Sequence, residues 1–295
     1  MRAFRLLCLG LLLTSGLPAL AQAPTGLPAP DPAGVDTLRA RKRVYTLFKP
    51  VPRALMRPLS TDRPDATESA YSVDAGHFQV ETDVLRLGRS RFVEQQSAQQ
   101  ELGFNHANLK MGLSHNVDLQ VVVESYTVQT EGEGDAGTRR AGFGDVTVRL
   151  KRNLWGNDGG PMAFALMPFV KVPTGRKCGN GAWEGGIVTP FSVQLPHYFT
   201  LGTQFQATLN RDGEAREHFL ELAPTLTVGH DLYKTLGGFV EIATAWDTRG
   251  RGWSATLNGG PVLRLGENLQ LDTGINLALT KDTPTTYFLG FSFRR

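Results

Sequence analysis

The sequence predicts an antiparallel transmembrane β-barrel of about twelve strands, and three observations carry that prediction. Apolar and polar residues alternate over stretches such as 269–279, which makes a strand with two unlike faces. Similar stretches recur back to about residue 76, behind an apparent secretory signal. The links between them alternate in length, as in outer-membrane barrels with short periplasmic turns and longer outer loops.

Residues 1–23 read as the signal peptide: Arg2 and Arg5 form a basic start, Leu6 to Leu13 an apolar core, and Ala19, Ala21 and Ala23 a small-residue cleavage region. Cys8 lies inside the apolar core with no lipobox before it, so lipidation is not expected. Its removal leaves Cys178 alone, and no intrachain disulfide can form. Cys178 sits in a Gly-rich loop and reads as incidental. The formal charge of +3 includes Arg2 and Arg5, so the mature chain is almost neutral and nothing points to nucleic acid. Beyond the signal there is no apolar run of about eighteen residues, which excludes a helical span. The 33 glycines suit an all-β chain rich in turns.

Residues 24–59 are rich in proline and basic at Arg39, Arg41, Lys42, Arg43, Arg53 and Arg57, without sustained period. They read as a flexible periplasmic arm, with contact to anionic lipid or peptidoglycan left open. Residues 60–295 hold the barrel, with expected strands at 77–87, 100–113, 117–128, 143–152, 161–173, 183–195, 198–209, 218–228, 235–246, 253–265, 269–279 and 285–293. The links at 114–116, 157–160, 196–197, 229–234 and 266–268 are the short set. Those at 88–99, 129–142, 174–182, 210–217, 247–252 and 280–284 are the longer set, so both termini are expected to face the periplasm. Trp155, Trp183, Trp246 and Trp253 fall at or near strand ends, where a lipid-facing barrel carries its aromatic girdles. A soluble sandwich shares the alternation but does not account for the loop lengths.

Parity sorts the side chains. Val146, Val148 and Leu150 oppose Asp145, Thr147, Arg149 and Lys151; Phe199, Leu201, Phe205 and Leu209 oppose Gln204, Gln206 and Thr208. The same rule sends Glu81, Asp83, Asp118, Glu124, Glu221, Glu241 and Asp272 into the lumen beside Lys110, Lys171 and Arg264. Such charges either select permeant ions or pair across the lumen to hold the wall. Phe169, Phe219, Phe239 and Phe288 share the luminal parity, either as a path for apolar solutes or as packing beneath the outer loops. Asp62, Arg63, Asp65 and Glu68 precede the first strand; they form either a plug that folds into the periplasmic mouth or a plain N-terminal cap.

The stretch Ser60-Thr-Asp-Arg-Pro-Asp-Ala-Thr-Glu-Ser69, followed by Val73-Asp-Ala-Gly-His-Phe-Gln-Val-Glu-Thr-Asp83, resembles the opening of the outer-membrane transporter family labelled putative MetA-pathway of phenol degradation. Met167-Pro-Phe-Val-Lys-Val-Pro-Thr-Gly175 is similar to its internal strand-and-loop motif, and with Phe288-Leu-Gly-Phe-Ser-Phe293 the resemblance spans about residues 60–295. It implies an outer-membrane channel or passive transporter for small molecules, aromatic or apolar ones among them. Its partners would be outer-membrane lipid, the small-molecule solute, and the barrel-assembly machinery acting on the C-terminal strand. The chain departs from the usual ending, because Arg294 and Arg295 follow Phe293, and Phe288 stands where glycine is usual.

Enzyme motifs are weak. Gly132-Glu-Gly-Asp-Ala-Gly137 matches a dinucleotide fingerprint in letters, but it lies in an acidic loop before a strand, where Glu133 and Asp135 repel phosphate. No Gly-x-Ser-x-Gly elbow and no His-Glu-x-x-His pair occurs, so no catalytic residue, metal or cofactor is assigned. The alternatives are a lipid hydrolase or acyltransferase, for which His218 lacks an assignable serine, and a structural or adhesive barrel.

Overall fold

A computed structural model describes residues 37, 40–92, 97–132, 137–213, 215–250, 252–281 and 283–295. The signal and the first part of the arm, together with Glu133 and Asp135, lie outside the described residues. The strands are β1 (Phe78–Phe92), β2 (Ser97–Ser114), β3 (Val117–Glu131), β4 (Thr138–Gly142), β5 (Val146–Trp155), β6 (Met162–Val172), β7 (Glu184–Gln194), β8 (Phe199–Asp212), β9 (Glu217–Tyr233), β10 (Leu236–Asp247), β11 (Gly252–Arg264), β12 (Leu269–Ala278) and β13 (Thr285–Arg294). Neighbours pair antiparallel, and β1 pairs with both β2 and β13, so the sheet closes into a twelve-stranded barrel with β4 as an extra strand. Among the described residues no helix is long and apolar enough to cross a membrane.

Alternation builds this wall inside out. Glu241, Asn258, Gln270 and Asp272 are at most 5% exposed, whereas Val240, Ile242, Leu271 and Leu277 stand 38–59% exposed. That inversion suits a wall with hydrocarbon outside and polar groups within; closure leaves no unpaired sheet edge facing lipid. The four tryptophans are all exposed, and Trp246 faces Trp253 across β10 and β11.

Three differences from the sequence reading have physical causes. The expected strand 143–152 starts only at Val146 and runs to Trp155, while the expected link 129–142 is largely strand: β3 reaches Glu131, β4 continues along β3 beyond β5, and Phe143 to Asp145 separate β4 from β5. There the Asp145 carboxylate accepts from the amides of Gly175 (2.9 Å) and Asn180 (3.1 Å), which draws the chain out of the ladder. The expected link 88–99 is mostly strand, since β1 and β2 stay paired as far as Phe92 and Ser97. Where a hairpin extends past a bilayer both of its faces are wet, so polar sequence does not end a strand.

The arm is the third. Residues 42–59 do not form a free extended segment but pack against the barrel end that carries the short turns. Val51 is buried, and Thr46 forms an isolated bridge with Ser114. Lys42 and Arg57 find Asp158 at 2.9 and 2.8 Å, and the Arg57 amide donates to Asp74 at 2.8 Å. These basic residues had no visible partner in sequence because their carboxylates come from distant turns. The chain's last residues close at the same end, where Phe78 and Arg295 exchange two backbone bonds (2.9 and 2.8 Å). Arg294 is buried, donating to the Arg57 carbonyl (2.8 Å) and to Asn268 (3.1 Å), so the two arginines after Phe293 complete the final strand.

The lumen as candidate functional site

Between the arm and β1, residues 60–77 run inside the barrel. Ser60 Oγ lies 2.6 Å from Ser69 Oγ, so residues 60–69 form a loop whose ends meet, of the compact kind that packs by its own side chains. A buried loop outside any sheet needs acceptors for its amides. The wall supplies them: Glu81 accepts from the Asp62 amide (2.9 Å), Gln204 from Glu68 (2.7 Å), Asn157 from Ser72 (3.0 Å) and Asp118 from Val73 (2.9 Å).

Glu241 is the clearest case. Its carboxylate accepts from the amides of Ala66 (2.8 Å) and Thr67 (2.7 Å), the Thr67 hydroxyl (2.6 Å) and Asn258 (2.6 Å). Four donors take the place of a cation, and in low dielectric such charge-assisted bonds are the strong ones.

The loop's own charges meet opposite charges from the wall. Arg63 reaches Asp83 and Asp272, each at 2.5 Å, spanning β1 and β12. Asp62 receives Lys110 at 2.5 Å and Lys151 at 2.6 Å, while Lys110 also contacts Glu81. Glu68 pairs with Arg149 at 2.5 Å. Burial alone would raise the Asp62 pKa, but the two lysine charges outweigh it and hold the carboxyl below the usual range. For Glu68 burial prevails: together with the Asp62 charge it raises the pKa to about 7 despite Arg149 and Lys151. Asp65 is pushed well above its ordinary value, by burial first and then by the Glu241 charge.

Two glycines on the luminal face let the segment pass. A Cβ on Gly290 would fall 2.1 Å from Arg63 Nη2 and 2.3 Å from the Thr82 carbonyl; one on Gly112 would fall 2.0 Å from the Asp74 carbonyl. Ala163 and Ala165 on β6 are fully buried and only a methyl larger, and Asn153 on neighbouring β5 donates to the Ala70 carbonyl at 2.8 Å. Small luminal residues among large polar ones were the sequence signal that something occupies the lumen. Parity alone did not reveal it.

The remaining parity residues divide by height. Lys171 pairs with Glu184, and with Arg149, Phe169, Gln206 and Glu221 they line a cavity of about 160 Å³ on the side of the loop toward the longer links. Glu124 is half-buried beside Gly144, where it fills the space that a Cβ on the glycine would take. Arg264 is exposed and pairs with Asp231 at 2.7 Å, so it stands apart from the luminal charges. The four phenylalanines are not brought together. Phe239 and Phe288 are buried with Val262, and the Arg63 guanidinium lies 5.8 Å from the Phe288 ring. Phe219 carries the Arg249 guanidinium at 4.0 Å. Phe169 alone of the four lines the cavity. At the rim that carries the longer links His218 Nε2 lies 2.9 Å from the Trp183 carbonyl, and among the described residues no group of three or more His, Cys, Asp or Glu side chains gathers to hold a metal.

A closed antiparallel barrel with an apolar exterior and a charged interior defines a membrane-spanning β-barrel protein of the outer-membrane kind. The chain belongs to the family described as Putative MetA-pathway of phenol degradation, which matches residues 61–294. In fold it is similar to an outer membrane channel from Pseudomonas putida F1, with TM-score 0.54 and 12% identity over 80% of this chain and 100% of that one. The beta domain of the Bordetella autotransporter Brka gives TM-score 0.49 and 13% identity over 74% and 98% of the two chains. The KdgM porin in complex with oligogalacturonate gives 0.45 and 7% over 73% and 98%. No curated protein matches the sequence.

Proposed function

We propose that the protein is a passive outer-membrane channel for small aromatic or apolar molecules, that its termini and short turns face the periplasm, and that the loop of residues 60–69 must shift for solute to pass. The observation that carries this reading is that the loop is bonded to strands all round one lumen, Arg63 to β1 and β12, Asp62 to β2 and β5, Thr67 to Glu241 on β10 and Glu68 to Gln204 on β8. A cap resting at the mouth would not reach them all. The cavity on the outer side of the loop supports the solute class, because Phe169 sets one aromatic face among polar side chains that are already paired.

Replacing Phe169 by serine tests it. Aromatic contacts of this kind contribute about 0.5–1.5 kcal/mol, so liposome swelling with a monoaromatic solute should slow roughly 2- to 10-fold. Swelling with a sugar of equal size should hold. Equal changes for both solutes would remove Phe169 from the path.

A further inference from the structure

Phe48 is 93% exposed, more than any other large apolar side chain among the described residues. It stands at the tip of a tight turn in which Thr46 and Lys49 exchange two backbone bonds, each of 3.0 Å. The turn is fixed to the wall, not trailing from it: the Leu47 amide donates to the Leu113 carbonyl at 3.0 Å, and Thr46 bridges Ser114 at the end of β2. The chain therefore holds a large apolar ring in a place where water alone would not keep it.

The barrel end at which it sits explains the position. At this end the lipid-facing rim carries Trp155, Tyr198, Tyr233 and Phe78, 47–72% exposed, as an aromatic girdle. The turn between β2 and β3, Ser114-His-Asn-Val117, contributes no aromatic residue. Phe48 and Tyr45 are attached at that very turn, and Val44, 56% exposed, adds to them. The charge around them has one sign. Residues 40–60 include no acidic residue, and with Lys42 and Arg57 paired internally, Arg41, Arg43, Lys49 and Arg53 are exposed without a carboxylate partner among the described residues. Lys49 instead lies 5.9 Å from the Tyr45 ring.

We propose that this turn is a membrane anchor: Phe48 seats among the acyl chains beneath the inner-leaflet phospholipid headgroups, with Arg43, Lys49 and Arg53 against the headgroup phosphates. It completes the girdle where β2 and β3 lack one. It also fixes the root of the luminal loop, since the Val51 amide donates to the Ala75 carbonyl (3.0 Å) and His77 Nε2 bonds the Val51 carbonyl (2.7 Å). The leaflet assignment rests on the short turns facing the periplasm.

The test uses the full-length protein with Cys178→Ser and a nitroxide label on Phe48→Cys, in vesicles of phosphatidylethanolamine and phosphatidylglycerol. Matching labels on Leu271→Cys and Gly213→Cys mark the hydrocarbon and the water. The Phe48 label should favour oxygen over a water-soluble nickel relaxant, between the two references, and Lys49→Glu with Arg53→Glu should shift it toward water. Nickel accessibility equal to that of the Gly213 label overturns the anchor. Separately, a membrane-impermeant thiol reagent should modify Glu267→Cys, exposed in the short turn 266–268 at the same barrel end, only after the outer membrane is permeabilised. Reaction in intact cells overturns the periplasmic orientation, and the inner-leaflet assignment with it, whatever the depth measured in vesicles.

Discussion

Deleting residues 61–68 should raise unit conductance several-fold in a barrel that still folds. The design follows the structure, because the Ser60 and Ser69 hydroxyls already meet at 2.6 Å, so joining the two residues asks for only a small backbone adjustment. The loop holds Asp62, Arg63, Thr67 and Glu68 in the middle of the lumen, bound to β1, β2, β5, β10 and β12. A pore's conductance follows its open cross-section, and twelve strands enclose space for little more than this loop and the inward side chains. Without it, Glu81, Asp83, Glu241 and Asp272 exchange their loop partners for water that can then enter. Planar-bilayer recordings check the result, with heat-modifiable migration as the proof of folding.

The second large effect is expected at Asp62. Changing it to alanine leaves Lys151 without its carboxylate and Lys110 with Glu81 alone, both lysines at most 3% exposed. Breaking a buried pair by removing one partner typically costs about 3–5 kcal/mol, because the remaining charge stays desolvated. Denaturant titration of vesicle-reconstituted protein should show a loss of that size, or separate unfolding of the loop at lower denaturant. Glu68→Gln is the contrast. Its carboxyl is raised to about 7, so near neutrality the amide resembles a form the residue already holds about half the time, and the loss should stay below about 1 kcal/mol. Similar losses for both variants would mean that the two carboxyls are not held as the charge cluster indicates.

The strands were legible because their signal is local. Period-two alternation located 269–279 against the observed Leu269–Ala278, and 285–293 against Thr285–Arg294. Parity also placed Glu81, Glu241 and Asp272 inside. What those carboxylates do there was not legible, since a charge on a luminal face reads alike whether it meets an ion or a backbone amide. Asp62 meets Lys110 and Lys151 across 48 and 89 positions of sequence, a separation no motif encodes. The arm failed for the same reason: Lys42 and Arg57 look solvated until the turn carrying Asp158 closes on them. The glycines opposite the loop carried the missing information, but only the backbone passing them gives them meaning.

In the proposed channel, residues 60–69 must move for solute to cross. Thr67 and Thr225 are both buried and their hydroxyls lie 2.6 Å apart, one on the loop and one on β9, so cysteines there are placed to form a disulfide. The measurement is liposome swelling with an aromatic solute for Thr67→Cys with Thr225→Cys in a Cys178→Ser background, oxidised and then reduced. Flux should stop in the oxidised barrel and return with reductant. Equal flux in both states would show that solute passes with the loop locked in place, and the account of the loop as the moving part would be wrong.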